Sequence, residues 1–128
     1  MRYLVDTHAF LWAVMSPERL TDRVRGVFTD REAELLVSIA TPWEMAIKCA
    51  LGKLDAAFVL DNFESLAKQG GYTLLDTAAR HVISSGRLFA HHRDPFDRLL
   101  AAQALDLRIP LISRDRVFDR YGVKRIWD

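Results

Sequence analysis

The stretch Tyr3-Leu4-Val5-Asp6-Thr7-His8-Ala9-Phe10-Leu11-Trp12 decides the fold. Its first three residues are apolar and predict a short buried strand, which ends at Asp6. Residues 7–15 predict an apolar helix, and Ser16-Pro17 ends it. A strand that leads directly into a helix is the basic unit of an α/β protein.

The same alternation continues along the chain, with no internal repeat and no linker. Further strands are predicted at 35–39, 72–75, 109–113 and 123–127. Further helices are predicted after Thr21, from Thr41 to Gly52, over about 56–68, after Thr77 and from Asp94 to about Leu107. Strands that alternate with helices favour a mainly parallel sheet covered on both faces. We expect one domain spanning 1–128.

Composition limits the class of protein. A chain of 128 residues is long enough to fold around its own core. Its single cysteine, Cys49, excludes an internal disulfide and a paired-cysteine zinc site. Asp6 interrupts the first apolar run before it could serve as a secretory signal, and no run approaches the roughly 20 residues of a membrane helix. We therefore expect a soluble cytoplasmic protein.

Four acids stand where a predicted strand ends or a predicted helix begins: Asp6, Glu44, Asp97 and Asp115. In a parallel sheet such positions meet at one edge, where ligands bind. Carboxylates gathered there repel one another unless a cation holds them. Hard oxygen ligands select Mg²⁺ or Mn²⁺, so the sequence predicts a divalent metal site.

A structural interpretation competes for two of these acids. Thr41-Pro42-Trp43-Glu44 and Asp94-Pro95-Phe96-Asp97 each place a capping residue, a proline, an aromatic residue and an acid in the same order. That order is typical of a helix start whose acid bonds back to the cap. Asp94 itself is interpreted as a cap. Four acids at one sheet edge are nevertheless hard to explain by capping alone.

Several motifs, in this order, resemble the PIN-domain family, and most closely the VapC-type toxins of bacterial toxin–antitoxin pairs. They are Val5-Asp6-Thr7-His8, Trp43-Glu44 with Lys48, Asp94-Pro95-Phe96-Asp97-Arg98-Leu99-Leu100, and Ile112-Ser113-Arg114-Asp115. The resemblance implies a three-layer α/β/α fold and a metal-dependent ribonuclease. It also implies a homodimer and a cognate antitoxin protein that neutralises it.

The resemblance makes Asp6, Glu44 and Asp97 the core catalytic and metal-binding acids and Asp115 the fourth, with Asp119 as the alternative. Four ionised carboxylates exceed the charge of one divalent ion. Either a second metal joins with the RNA substrate or one acid stays protonated. Metal-assisted hydrolysis would leave 5′-phosphate and 3′-hydroxyl ends. Candidate phosphate contacts flank the acids: Arg93, Arg98, Arg114, Arg116, Lys48 and Lys53.

Other functions remain open at this point. The pair His91-His92 could cleave RNA without metal, through the 2′-hydroxyl. A Mg²⁺-binding signalling module would need a strand-end lysine that this chain does not show, and a PIN fold could bind RNA without cutting it. The apolar helix over 9–15 is either buried in the domain or forms a face for a dimer or an antitoxin.

Overall fold

The computed structural model describes residues 1–88 and 94–128, so the predictions for His91, His92 and Arg93 lie outside the described residues. Five strands are present: β1 (Arg2–Val5), β2 (Glu34–Ser38), β3 (Tyr72–Leu75), β4 (Leu111–Ile112) and β5 (Arg125–Ile126). The helices are α1 (Thr7–Met15), α2 (Asp22–Thr29), α3 (Ala40–Ala50), α4 (Ala57–Asp61), α5 (Phe63–Gln69), α6 (Ala79–Arg87) and α7 (Pro95–Leu107). Two 3₁₀ turns lie at Pro17–Arg19 and Arg116–Tyr121.

The strands form one parallel sheet in the order β3-β2-β1-β4-β5. The central strand, β1, pairs with β2 on one side and with β4 on the other, so that Val5 lies level with both Val37 and Ile112. The predicted parallel sheet is thereby confirmed. The carboxyl ends of β1, β2 and β4 consequently share one edge of the sheet.

Successive residues of β1 face opposite layers, as the pleat of a strand requires. Val5 packs in a core with Phe10 of α1 and Val24 of α2. Leu4 packs in a second core with Leu100 of α7 and Phe118 of the second 3₁₀ turn. Helices therefore cover both faces of the sheet, and the three-layer α/β/α architecture is confirmed.

The prediction that Thr41 caps α3 is wrong, because the helix already begins at Ala40. The turn from β2 into α3 is made by Ser38, whose Oγ accepts a hydrogen bond of 3.0 Å from the Ala40 N–H. Thr41 is thus free to point into the protein, where it is fully buried. The Thr41-Pro42-Trp43-Glu44 segment is not a capping box.

Three further helix predictions need correction. Thr77 does not cap α6, which begins at Ala79; the His81 Nδ1 accepts from the Ala78 N–H at 3.1 Å instead. His81 is also buried rather than on an ordinary helix face, with its Nε2 3.0 Å from Asp106 Oδ2. The helix predicted over about 56–68 is broken at Asn62 into α4 and α5.

Other helix ends are as predicted. Thr21 caps α2 by accepting from the Val24 N–H at 3.2 Å, and α1 ends at Met15 before Ser16. Asp94 caps α7 and accepts from the Phe96 N–H at 2.9 Å.

In the described ranges, no helix has the length and apolar character needed to cross a membrane.

The apolar helix α1 is mainly a core element. Thr7, Ala9, Phe10 and Leu11 are buried, whereas Met15 at its end is 51% exposed. An exposed apolar row lies on α3 and on the residues directly before and after it: Ile39, Trp43, Ile47 and Leu51, each four residues apart. Residues four apart lie on one side of a helix, so these side chains form a continuous stripe on the surface.

Candidate active site

The carboxyl edge of the sheet carries three buried acids and one half-buried acid. Asp6 follows β1, and Asp115 follows β4 by three residues. Glu44 lies one turn into α3, and Asp97 lies in the first turn of α7. Asp6, Glu44 and Asp97 are at most 9% exposed, which is unusual for ionisable side chains.

Asp6 is held from three directions. Its carboxylate accepts from the Thr7 N–H at 2.6 Å and from the Ser113 hydroxyl at 2.6 Å, and His8 Nε2 lies 3.3 Å from Oδ2. Burial raises the pKa of Asp6, and the negative charge of Glu44 adds to that effect. His8 and the hydrogen bonds act in the opposite direction but do not cancel the rise. The orientation of Asp6 is therefore set by β4 as well as by its own strand.

Glu44 is connected to Asp6 through Thr7. The Thr7 hydroxyl donates to Glu44 Oε1 at 2.7 Å and lies 3.1 Å from the hydroxyl of Thr41. Because Thr7 has only one hydroxyl hydrogen, Thr41 must donate to Thr7. The other carboxylate oxygen of Glu44 accepts from Lys48, one turn further along α3. Glu44 thus bonds to Thr7 of α1, across the site, and to the ammonium group of Lys48 in its own helix.

Asp97 shows that the acids lie close together. Burial is the main cause that raises its pKa from 3.8 to about 8, and the negative charges of four other acids contribute: Asp6, Asp94, Glu44 and Asp115. Repulsion from neighbouring carboxylates favours the neutral form of an acid. The four predicted site acids therefore form one electrostatic cluster, which also includes the cap Asp94.

The structure separates the two candidates for the fourth acid. Asp115 caps the second 3₁₀ turn by accepting from the Val117 N–H at 3.0 Å, and its own N–H donates to Ser113 Oγ at 3.0 Å. Ser113 also binds Asp6, which brings Asp115 to the cluster. Asp119 instead pairs with Arg125, with Nε 3.0 Å from Oδ1, and is 51% exposed. The negative charge of Asp115 is one of the causes that raise the pKa of Asp97.

A divalent cation fits this set of donors by charge and by chemistry. The cluster supplies carboxylate oxygens, the ligands that Mg²⁺ and Mn²⁺ prefer. The repulsion that raises the pKa of Asp97 is the repulsion that a bound cation would relieve. The geometry does not support the site to the same degree, because among residues 1–88 and 94–128 no group of three His, Cys, Asp or Glu side chains is arranged so that it could hold a metal ion.

The flanking basic residues fall into different environments. Lys48 bonds Glu44 and lies 3.9 Å from Asp94 Oδ2; burial lowers its pKa, but these acids outweigh burial and raise it. The Nε of Arg98 is buried and has no hydrogen-bond partner within the described ranges 1–88 and 94–128. Arg114 and Arg116 are exposed beside Asp115, and Lys53 is exposed after α3.

Sequence reasoning missed the residues that hold the acids in place. Thr7, Thr41 and Ser113 are buried hydroxyls that bond Asp6, Glu44 or each other. One signal was available: Thr7 is next to Asp6, and Ser113 is the last residue of a predicted strand, two positions before Asp115. Lys48 was considered only as a phosphate contact, although it bonds Glu44.

Fold and site together define an α/β/α protein with an acidic cluster at the carboxyl edge of a parallel sheet. A family model described as the PIN domain matches residues 3–124, and the chain belongs to the PIN-domain family. PIN domains are generally nucleases and typically use divalent metals. A search of curated proteins finds no match to this chain.

Solved structures with the same fold come from several bacteria. VapBC2 from Rickettsia felis, bound to a DNA fragment from its promoter, is similar with 15% identity and a TM-score of 0.69, covering 100% of both chains. VapBC-1 from nontypeable Haemophilus influenzae has 19% identity and a TM-score of 0.68, covering 98% of this chain and 97% of that one. FitAcB from Neisseria gonorrhoeae has 17% identity and a TM-score of 0.64, covering 97% and 96%. At these identities the likeness shows a shared fold.

Proposed function

We propose that this chain is a metal-dependent endoribonuclease and the toxin of a toxin–antitoxin pair. The observation that carries the proposal is the carboxylate cluster, in which the pKa of Asp97 is raised to about 8 by burial and by its acidic neighbours. Such a cluster at the ligand-binding edge of a PIN domain favours cation-assisted phosphodiester hydrolysis. The 128 residues would act as one catalytic unit on RNA in the cytoplasm.

Asp6, Glu44, Asp97 and Asp115 would hold Mg²⁺ or Mn²⁺. The bound metal supplies an activated water and neutralises charge on the phosphate, so that products carry 5′-phosphate and 3′-hydroxyl ends. The chain itself orients the ligands: Ser113 fixes Asp6, and Thr7 fixes Glu44. Asp97 must release its proton before it can act as a ligand.

Partner proteins are part of the proposal. The VapBC and FitAB structures are complexes, which supports a cognate antitoxin for this chain. The exposed stripe of Ile39, Trp43, Ile47 and Leu51 continues into an apolar groove of about 390 Å³ between α3, α6 and α7. Exposed apolar patches of this kind commonly bind protein. We also expect a homodimer, which sedimentation of the purified chain measures directly.

Cleavage of end-labelled total RNA tests the catalytic proposal. We expect new 5′-phosphate ends with Mn²⁺, none with EDTA and none with Asp6→Asn. Asp55→Asn is the matched control, because Asp55 is an exposed loop residue and the substitution removes the same charge. Cleavage that survives EDTA and leaves cyclic phosphates would refute the metal mechanism and implicate His91 and His92. RNA binding without cleavage in any metal would leave a binding module.

Induced expression tests the toxin role. The wild-type chain should arrest growth of its host, whereas Asp6→Asn should not, and co-expression of the neighbouring open reading frame should restore growth. Harmless expression of a chain that cuts RNA in vitro would separate the nuclease from the toxin and assign it another cellular role.

A further inference from the structure

Beside the acidic cluster lies an open cavity of about 450 Å³, lined by two tryptophans and two arginines: Trp12, Arg19, Arg114 and Trp127. Trp12 and Arg114 also line a second cavity of about 480 Å³, together with His8, Asp115 and Arg116. His8 and Asp115 belong to the acidic site described above. The two cavities thus share Trp12 and Arg114, and the second one reaches the acidic site.

The two tryptophans of the pocket contact other parts of the protein. Trp127 is 8% exposed, and its carbonyl accepts from the Thr21 hydroxyl. Its ring centroid is 5.7 Å from that of Trp12, and the two rings are inclined at 57°. Trp12 in turn contacts the ring of His8, with 5.1 Å between centroids. The two tryptophan rings thus contact each other, and Trp12 connects them to His8, which lies beside Asp6.

Both arginines of the pocket are exposed. The guanidinium carbons of Arg19 and Arg114 lie 5.2 Å and 6.0 Å from the centroid of Trp12. Within the part of the chain that the structure describes, no carboxylate lies at ion-pair distance from either guanidinium. Two uncompensated positive charges over an aromatic ring favour a ligand that is both flat and anionic.

We infer that Trp12, Trp127, Arg19 and Arg114 form a subsite for one unpaired nucleotide of an RNA strand whose neighbouring phosphodiester lies at the acidic cluster. This inference rests on the proposed ribonuclease function. A base stacks on Trp12 or on the guanidinium planes that lie over it, and the arginines contact its phosphate, the combination that proteins use for single strands. The cavity volume falls within the roughly 300–1,000 Å³ that binding sites for small ligands occupy.

The subsite restricts the substrate to RNA that is unpaired next to the cut. A base held in a duplex is stacked on both sides and cannot reach the tryptophans without being extruded. Specificity therefore depends on the secondary structure of the RNA, and loops and single-stranded segments are the expected targets.

Tryptophan fluorescence tests the subsite without cleavage. The Asp6→Asn chain with Trp43→Phe keeps only the two pocket tryptophans as fluorophores. A single-stranded oligoribonucleotide should quench this fluorescence on binding. The same strand with one abasic position next to the cut site, and the same strand in a duplex, should each bind roughly tenfold more weakly or worse.

Arginine variants separate the subsite from general charge. Arg114→Gln should weaken binding of the single strand about tenfold, whereas Arg31→Gln, which removes the same charge from an exposed turn, should leave it within about twofold. Equal affinities for the two variants, in a chain whose wild type cuts RNA, would overturn the subsite and leave the ribonuclease intact. Normal cutting by Arg114→Gln with loss of the antitoxin would assign the pocket to the protein partner. A wild-type chain that neither cuts nor binds RNA would overturn both proposals.

Discussion

Replacing Asp97 by asparagine should change how the stability of the metal-free protein depends on pH. The pKa of Asp97 is raised from 3.8 to about 8. Between roughly pH 4 and pH 8 the folded protein therefore holds a proton that the unfolded chain has released. The free energy of unfolding must fall as the pH rises through this window, and it levels off above it.

The size of the effect follows from the shift. A difference of about four pH units corresponds to an upper limit of roughly 5–6 kcal/mol at about 1.4 kcal/mol per unit. Asp6 belongs to the same cluster, and burial raises its pKa as well, so the effects of the two acids on stability are not independent. At pH 8 we expect the free energy of unfolding of Asp97→Asn to exceed that of the wild type by about 2–3 kcal/mol.

Urea unfolding in EDTA at pH 5, 6, 7 and 8 measures this directly. The wild type should lose stability steadily over the series, and Asp97→Asn should lose much less. Asp55→Asn is the control and should follow the wild type. Saturating Mn²⁺ at pH 8 should return about 2–3 kcal/mol to the wild type, since a ligand at 100 times its Kd stabilises by about that amount. A wild type whose stability is level or rises between pH 5 and 8 would refute the reasoning.

Three other substitutions test contacts around the cluster and in the core. Ser113→Ala removes the hydroxyl that donates to Asp6 and should lower the free energy of unfolding at pH 7 by about 1–3 kcal/mol. Lys48→Met removes the cation beside Glu44 and should lower the Tm in EDTA but enlarge the rise in Tm on adding Mn²⁺, because more repulsion is left for the metal to relieve. Gln103→Leu replaces a fully buried amide that has no hydrogen-bond partner among the residues that the structure describes and should stabilise the protein by about 1–2 kcal/mol in urea unfolding.

The controls for these substitutions are exposed residues of the same type: Ser84→Ala, Lys68→Met and Gln69→Leu. Each should change stability by less than about 0.5 kcal/mol. If Ser113→Ala matches its control, the hydrogen bond to Asp6 does not stabilise the site. An equal Mn²⁺ response of Lys48→Met and wild type would mean that Lys48 does not compensate charge in the cluster. A loss of stability in Gln103→Leu would show that the amide has a structural role.

The sheet and the cluster of acids could be predicted because both depend on local patterns. Val5 and Ile112 are apolar residues followed by polar ones, and parallel strands bring their carboxyl ends to one edge. The helix starts were predicted less well. The turn into α3 depends on the Ser38 hydroxyl, which accepts from the Ala40 N–H. The capping pattern at Thr41 instead predicted that the helix begins one residue later.

Contacts between residues far apart in the sequence could not be predicted from local patterns. Thr7 and Glu44 are 37 positions apart, and nothing in either segment specifies that the hydroxyl meets the carboxylate. His81 lies in a helix with exposed neighbours, yet it is buried because α7 brings Asp106 to it from 25 positions away. Such contacts follow from how the layers pack, which a single sequence encodes only collectively.

The hydrogen bond between Ser113 and Asp6 spans 107 positions. Because Ser113 is translated late, this bond forms only near the end of synthesis. While the chain is being translated, Asp6 and Glu44 emerge long before Ser113 and Asp115. Until β4 emerges, β1 lacks one of its two neighbours and Asp6 lacks its hydroxyl donor. A nascent chain on the ribosome therefore carries most of the acids but not the assembled site, and the ribosome that makes the protein is exposed to it only after the last strands have folded.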